Sequence, residues 1–156
     1  AEKIGLADIV PLEAPERVQE DTPPALGRMG TLPAPMTARD FAEQIRRALP
    51  TAAVRLTEAG THLVRKVALC SGSGAEFISK AAFLGADAYV TGDVRYHDAQ
   101  RARESGIHLI DAGHFGTEFP MVHALKVRLE KELGKQADLV EILEDTGSKD
   151  FFEAFC

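Results

Sequence analysis

A histidine and a glutamate stand four residues apart in the stretch DAGHFGTEFP, at the end of an apolar run. Pro120 fits best in the first turn of a helix, because it lacks an N–H and clashes with the carbonyl four residues back. We therefore predict that a helix begins near Gly116 or Thr117, with Thr117 as its N-cap. His114 then lies on the turn that leaves a strand and Glu118 on the first helical turn, within reach of one small space.

The pair formed by His114 and Glu118 has two interpretations from spacing alone. An imidazole and a carboxylate that share a space suit a divalent cation, or a base and an acid that act together. In the structural alternative, Glu118 stabilises the helix N-terminus and His114 forms a local hydrogen bond. Spacing alone favours that alternative, since a metal site normally has three or four ligands and this pair supplies two.

Two further polar segments follow predicted strands. The first is the loop Ser71-Gly72-Ser73-Gly74, and the second runs from Thr91-Gly92-Asp93 to Tyr96-His97-Asp98. A glycine- and serine-rich loop can offer N–H groups to a phosphate, but this one lacks the spacing of the known phosphate-binding loops, and a tight turn is the simpler interpretation. His97 suits a proton shuttle, because histidine titrates near neutral pH, and equally suits a capping role. His108 lies inside an apolar run and is predicted to be structural.

Alternating strands and helices must position these side chains. Proline- and acid-rich residues 7–27 predict an extended connector. The apolar patterns predict strands at 28–32, 52–58, 64–70, 86–92, 107–113 and 138–145. They predict helices over 37–49, around residues 77–82, through residues 99–102, and from the start described above to Gly134. Such alternation is typical of an α/β fold with a largely parallel or mixed sheet.

Because the polar segments all follow strands, they predict where in the fold a site would lie. In an open α/β sheet, ligands bind in the crevice outside the carboxyl ends of the strands. If the strands that end near residues 70, 92 and 111 are parallel, their three polar segments line one edge of the sheet. The sequence therefore predicts a single site that draws on all three.

The composition bounds the class of protein. A chain of 156 residues with 45% hydrophobic residues suits one compact domain, and no apolar run approaches the roughly 18 residues needed to cross a bilayer. A net charge of −6 argues against general nucleic-acid binding. Two cysteines make no disulfide framework, so we predict a cytoplasmic setting. The abrupt opening AEKIGL predicts that residues 1–27 are a linker or the tail of a preceding domain, followed by an α/β domain at 28–156.

The string TGDVRYHDAQRARESGIHLIDAGHFGTE, residues 91–118, resembles the C-terminal signature of the Nif-three-like family of dinuclear-metal proteins, widely named GTP cyclohydrolase type 2 homologues. The segments GRMGTLPAPMTARDFAEQIRRAL, VRKVALCSGSGAEFI and DTGSKDFF are similar to segments of the same family in the same order. The resemblance covers nearly the whole chain. It implies a layered α/β/α fold, and it favours the metal interpretation of His114 and Glu118.

The resemblance also implies a function. We expect a hydrolase-type protein that binds two divalent metal ions (Zn, Fe, Mn or Mg), acts on a nucleotide or related phosphate compound, and assembles as a hexameric ring. His114 and Glu118 are then metal ligands, His97 an acid or base, and Asp93 a residue that orients His97 or a water. Residues Ser71, Gly72, Ser73 and Gly74 would hold the substrate. The alternative is a non-catalytic metal-binding adaptor whose ring presents surfaces to partners.

One family feature is missing from this chain. The family's tandem-histidine motif supplies metal ligands from an N-terminal half, but no two of the five histidines here are adjacent. We therefore expect the chain to correspond to a C-terminal portion that carries only part of the site.

Overall fold

The computed structural model describes residues 1–13, 25–134 and 139–154, and a six-stranded mixed sheet lies at its centre. The strands are β1 (Ala7–Pro11), β2 (Arg28–Met36), β3 (Arg55–Thr57), β4 (Val64–Ser73), β5 (Ala88–Gly92) and β6 (His108–Asp111). Their order across the sheet is β1-β2-β4-β5-β6-β3. β4, β5 and β6 are parallel, and the other neighbours are antiparallel. The predicted α/β class is confirmed.

Helices cover both faces of this sheet. The α-helices of the described residues are α1 (Ala38–Ala48), α2 (Ile78–Phe83), α3 (Tyr96–Glu104), α4 (His114–Glu118) and α5 (Pro120–Leu133). α1 packs on one face through the buried side chains of Phe41 and Ile45. α2 and α3 pack on the other through Ile78, Ala81 and Ala102. The result is the layered α/β/α arrangement. Among the described helices, none has the length and apolar character that a membrane crossing requires.

The central strand β5 shows why the apolar pattern there is continuous rather than alternating. Ala88 and Val90 belong to the core on the α1 side, whereas Tyr89 belongs to the core on the side of α2 and α3. Successive side chains point to opposite faces of a strand, and both faces of this sheet are covered. Tyr89 is fully buried, and its hydroxyl donates to the carbonyl of Gly74 at 2.7 Å. Burial raises the pKa of that phenol.

Helix α1 follows its sequence signals closely. Thr37 is the N-cap, and its hydroxyl accepts the N–H of Asp40 at 3.1 Å. This bond satisfies one of the N–H groups that a helix start leaves without a partner. Phe41 and Ile45, four residues apart, are completely buried. Leu49 is the C-cap in an extended conformation, as expected for a residue before proline. The helix predicted over 37–49 is confirmed.

The extended connector predicted over residues 7–27 is wrong at its start. Residues 7–11 form β1, which pairs with β2 at the edge of the sheet. Asp8 has a positive φ of 51°, and the pairing register is irregular between Ala7 and Val10. That irregularity breaks the period of two by which a strand is recognised in sequence. Leu6 and Leu12, on either side, are buried. Residues 14–24 of the predicted connector lie outside the described residues.

The strand predicted over residues 138–145 is also wrong. Residue 138 lies outside the described residues, and residues 139–145 contain no strand. Leu139 and Leu143 are 83% and 76% exposed, although their pattern is apolar. The edge that a further parallel strand would need, beside β6, is already occupied by β3 in the antiparallel direction.

Candidate metal and substrate site

The carboxyl ends of β4, β5 and β6 meet at one edge of the sheet, as predicted from their polar segments. Thr91 joins the first two ends, because its hydroxyl donates to the carbonyl of Gly72 at 3.0 Å and accepts the N–H of Gly74 at 3.0 Å. It is linked to the third end through its carbonyl, which accepts the N–H of Ala112 at 2.9 Å. The ends of the three strands are therefore linked to one another by hydrogen bonds of Thr91.

The short helix α4 starts at His114, directly after Gly113, whose φ is 77°. The predicted start near Gly116 or Thr117, with Thr117 as N-cap, is wrong. The Thr117 hydroxyl instead donates to the carbonyl of Gly113 at 2.9 Å and accepts the N–H of Gly72 at 2.9 Å. The left-handed conformation of Gly113 turns the chain into the helix at once, so the polar pair lies at the two ends of a single helical turn.

Pro120 lies in the first turn of a helix, as predicted. It begins α5, the second of two adjoining helices, where its missing N–H costs no internal hydrogen bond. Sequence reasoning merged α4 and α5 into one helix with one start, because it allowed for only a single helix before Gly134.

His114 and Glu118 face one another across one turn of α4. Residues four apart lie on the same side of a helix, and the Nε2 atom of His114 is 3.1 Å from Oε2 of Glu118. Both side chains are about half exposed. The other ring nitrogen, Nδ1, is 2.7 Å from Oδ2 of Asp93. The Asp93 hydrogen bond raises the pKa of His114 above its usual value, and Glu118 adds to the effect.

Asp93 reaches His114 from the end of β5 by an uncommon backbone conformation. Its φ is 54°, in the left-handed region that few residues other than glycine adopt. Such conformations persist where the surrounding structure holds them, and they cluster at functional sites. Here the conformation carries the carboxylate to the imidazole. The carboxylate of Asp93 contacts His114, a contact that the sequence did not indicate. The role predicted for Asp93, to orient His97 or a water, stays a prediction.

Two glycines make room for this arrangement. A Cβ atom on Gly72, whose φ is 63°, would collide with Oε1 of Glu118. A Cβ atom on Gly92 would lie 2.6 Å from the backbone carbon of Gly113. The ends of β4 and β5 can therefore approach α4 closely only because these positions lack side chains.

Beneath the pair, Asp111 joins three segments. One of its carboxylate oxygens accepts the N–H of Gly113 at 3.0 Å, and the other accepts the N–H of Val94 at 3.3 Å. Asp111 is buried and also forms an ion pair with Arg55, whose guanidinium donates to the Val94 carbonyl at 2.8 Å. Sequence reasoning missed Arg55. Arg55 lies opposite Asp111 because β3 pairs antiparallel with β6. The sequence did not indicate that pairing.

A cavity of about 780 Å³ opens beside His114 and Glu118. One side is aromatic, since the rings of Phe115 and Phe119 stack with centroids 4.6 Å apart. Of the lining residues that the structure describes, Arg55 alone carries a permanent positive charge. The acidic lining residues are Asp93, Asp111, Glu118, Asp145, Asp150 and Glu153. A cation would balance this excess of carboxylates.

The predicted substrate segment and His97 lie outside that cavity. Residues 71–73 belong to β4, so the predicted loop is wrong for three of its four residues. Ser71 and Ser73 are exposed, and the N–H groups of Gly72 and Gly74 are donated to threonine hydroxyls. His97 is exposed on the first turn of α3. Substrate binding by the segment and proton transfer by His97 stay predictions.

The described residues do not provide a complete set of metal ligands. Within residues 1–13, 25–134 and 139–154, no group of three or more His, Cys, Asp or Glu side chains is arranged to hold a metal ion. Asp93 is close to His114, but it contacts the nitrogen that faces away from Glu118. The Nε2 atom of His114 and the carboxylate of Glu118 are thus two donors on one side of the helix.

Comparisons with known proteins identify the family. The model of the Duf34/NIF3 (NGG1p interacting factor 3) family matches residues 1–147. This chain belongs to the Duf34/NIF3 family. A relative from Haemophilus influenzae, named GTP cyclohydrolase 1 type 2 homolog, is 40% identical to this chain over 113 residues. These residues are 72% of this chain and 45% of the relative.

Two further comparisons agree with the Duf34/NIF3 assignment. A Staphylococcus epidermidis protein of the same name is 36% identical over 137 residues, covering 85% of this chain and 37% of that protein. The crystal structure of a Bacillus cereus protein related to NIF3 matches with a TM-score of 0.78 and 34% identity, covering 84% of this chain and 36% of that one. The Duf34/NIF3 chain thus spans less than half the length of these relatives.

Proposed function

We propose that this chain supplies part of a dinuclear divalent-metal site in a hydrolase-type protein, a GTP cyclohydrolase type 2 homologue that acts on a nucleotide or related phosphate compound. The observation that carries the proposal is the pair His114 and Glu118, whose Nε2 and Oε2 atoms are 3.1 Å apart on one side of α4. An imidazole nitrogen and a carboxylate oxygen suit zinc, iron and manganese.

The contact between Asp93 and His114 supports the metal role further. Histidines that bind metals usually donate their other ring N–H to a carboxylate or carbonyl, which fixes the tautomer and the ring orientation. Asp93 is placed to accept from Nδ1, which leaves the lone pair of Nε2 directed toward Glu118. The remaining ligands would come from outside the described residues, in the part of the relatives' length that this chain does not cover.

The expected chemistry divides between the metal ions and the residues. A bound divalent cation lowers the pKa of a coordinated water toward neutrality and supplies a nucleophile for hydrolysis. His114 and Glu118 would hold the cation, and Asp93 would keep the imidazole in the binding tautomer. Arg55 would receive an anionic group of the substrate at the cavity wall. The stacked rings of Phe115 and Phe119 suit a planar heterocycle.

Titration calorimetry with Zn²⁺ and Mn²⁺ tests the metal assignment. Because His114 and Glu118 are only two ligands, we expect affinity in the micromolar range or weaker for this chain, lost in His114→Ala. His123→Ala is the matched control, since His123 pairs with Glu144 at 2.7 Å in a second exposed histidine–carboxylate contact. Equal loss in both variants, or tight binding of two metals that survives His114→Ala, would contradict the assignment.

A second candidate is a non-catalytic metal-binding adaptor or regulatory ring protein. It is favoured by α5, a helix of 14 residues with no buried side chain. Met121, Leu125 and Leu129, four residues apart, form an exposed apolar stripe on it. A full-length relative assayed against nucleotides and phosphodiesters separates the candidates. Metal-dependent turnover supports the hydrolase, and bound metal without turnover across that panel supports the adaptor.

A further inference from the structure

His108 is a completely buried histidine that the proposed site does not use. It begins β6, and its ring lies against the segment of residues 58–63, which connects β3 to β4. The Nδ1 atom accepts the N–H of Ala59 at 3.1 Å. The Nε2 atom is 3.1 Å from the carbonyl oxygen of His62. The rings of His62 and His108 stack with centroids 4.0 Å apart.

These partners allow only one protonation state. A main-chain N–H can only donate, so the Nδ1 atom of His108 must carry a lone pair. A carbonyl oxygen can only accept, so the Nε2 atom must carry the hydrogen. The imidazole is therefore neutral, in the Nε2–H form. A second proton on Nδ1 would oppose the N–H of Ala59 and break that bond.

The surroundings oppose protonation on balance. Burial lowers the pKa of His108 below its usual value of 6.5, and the His62 ring acts in the same direction. The hydrogen bond to the His62 carbonyl and the carboxylates of Glu58 and Asp87 act against this lowering. Both carboxylates have other partners, since Glu58 pairs with Arg39 at 2.6 Å and Asp87 accepts the N–H of Lys66 at 2.7 Å.

The geometry points to a pH-sensitive latch, in which neutral His108 fastens the segment 58–63 to the sheet and protonated His108 releases it. Two main-chain groups of the segment depend on one ring that titrates, and the proton enters where the Ala59 N–H now donates. The His62 ring, which stacks on His108, also disfavours the protonated form of His108. The segment then leaves the sheet while the body of the fold remains.

Release of the segment 58–63 depends on pH in one direction, and the segment is connected to the cavity through β3. Because the pKa is lower in the folded protein than in the unfolded chain, the stabilisation is complete above about pH 6.5 and is lost as the pH falls through the folded-state pKa. Segment 58–63 follows β3 directly, and β3 carries Arg55, which holds Asp111 beneath the candidate site. Acidification thus loosens β3, the strand that carries Arg55. Among the described lining residues of the cavity, Arg55 is the only one with a permanent positive charge.

Amide hydrogen exchange and ring NMR on the whole chain between pH 5 and pH 8 test the latch. At pH 8 we expect His108 as the neutral Nε2–H tautomer. On acidification the protection of the Ala59 amide, corrected for the intrinsic rate of exchange, should fall about tenfold for each pH unit by which the His108 pKa is lowered. The fall should begin near pH 6.5 and level off where the His108 ring itself titrates. Amides in β5 should keep their protection.

Two variants separate the latch from general acid sensitivity. His108→Gln supplies an amide oxygen and an amide N–H that do not titrate, so the pH dependence at Ala59 should disappear. His123→Ala removes an exposed histidine far along the chain and should leave it unchanged. Constant protection at Ala59 down to the ring titration, an Nδ1–H tautomer at pH 8, or an unchanged pH profile in His108→Gln would each overturn the proposal. The tautomer measurement decides even if His108→Gln does not fold.

Discussion

Both ring nitrogens of His114 contact a carboxylate, and the two carboxylates come from different parts of the fold. Nδ1 contacts a carboxylate held by a strained backbone at the end of β5, whereas Nε2 contacts a carboxylate from its own helix. Without metal, a proton on the ring satisfies both neighbours, which is why the pKa of His114 is raised. A metal ion would replace the proton at Nε2 and leave the Asp93 contact intact. In the proposed metal site, the contact with Asp93 would position the ring and the contact with Glu118 would mark the side that binds the metal.

At the residue scale we predict that Asp93→Asn lowers metal affinity about 10–100-fold, because the amide no longer fixes the ring of His114 as the carboxylate does. Asp8→Asn is the matched control. Asp8 also has a positive φ, of 51°, and accepts a hydrogen bond from Thr31 at 2.9 Å, far from the site in sequence. Asparagine tolerates the left-handed region, so neither change adds much strain.

Titration calorimetry measures the affinities, and circular dichroism checks the fold of both variants. A similar loss in Asp8→Asn would mean that Asp93 acts through general stability. Unchanged affinity in Asp93→Asn would remove the positioning role.

At the scale of elements, the contact between the end of β4 and α4 depends on a missing side chain. We predict that Gly72→Ala displaces Glu118 and weakens metal binding by about tenfold or more, since one of the two proposed ligands is moved. Gly106→Ala controls for backbone strain, because Gly106 has a φ of 73° but nothing within 4 Å of its Cβ position. Both variants should lose about 1–2 kcal/mol of stability from the left-handed conformation.

The difference between the two glycine variants is the informative quantity. Metal titrations and thermal unfolding are measured on each. If Gly106→Ala weakens metal binding as much as Gly72→Ala does, the effect belongs to strain and not to the position of Glu118.

Elements with their own local signals could be predicted from the sequence. Thr37 followed by Asp40, with apolar residues every four positions, indicated α1 to within a residue at each end. The polar segments after β4, β5 and β6 indicated one sheet edge, because the buried runs before them suggested parallel strands. The candidate ligands His114 and Glu118 were found by their spacing and by the resemblance to a family.

Features that depend on tertiary pairing could not be predicted. The contact of Arg55 with Asp111 requires knowing that β3 runs antiparallel beside β6. The same pairing excludes the strand predicted over residues 138–145. The contact of Asp93 with His114 requires a left-handed backbone at an aspartate, which no local rule demands. Periodicity reports which face a residue presents, and it does not report which strand lies next.

On the scale of the whole molecule, we expect stability and the proposed site chemistry to depend on different residues. Ile110 is completely buried in the core on the α1 side, and truncation of its side chain to alanine would leave a cavity. We predict that Ile110→Ala costs roughly 2–4 kcal/mol of unfolding free energy. His114→Ala should cost about 1 kcal/mol or less, because the half-exposed side chain lies outside the core. Denaturant unfolding measures both, and equal costs would make His114 a structural residue.

The relatives' greater length leads to a prediction about completeness. If the remaining ligands lie in sequence that this chain does not cover, the chain alone should show no metal-dependent hydrolysis. A full-length relative should bind metal far more tightly, because more ligands join the same ions. Both are assayed with GTP and a generic phosphodiester in Mn²⁺, Zn²⁺ and Fe²⁺. Comparable turnover by the 156-residue chain would show that its own residues complete the site.

The two outer strands of the sheet bear on how copies of this chain meet in concentrated solution. Exposed strand edges invite edge-to-edge polymerisation, which proteins prevent with short strands, irregular pairing and proline. β3 has only three residues, and β1 combines an interrupted register with Pro11, which has no N–H to offer. Both edges are thus poor templates for a strand from another molecule. Fibrils that grow by adding strands at these two edges are therefore disfavoured.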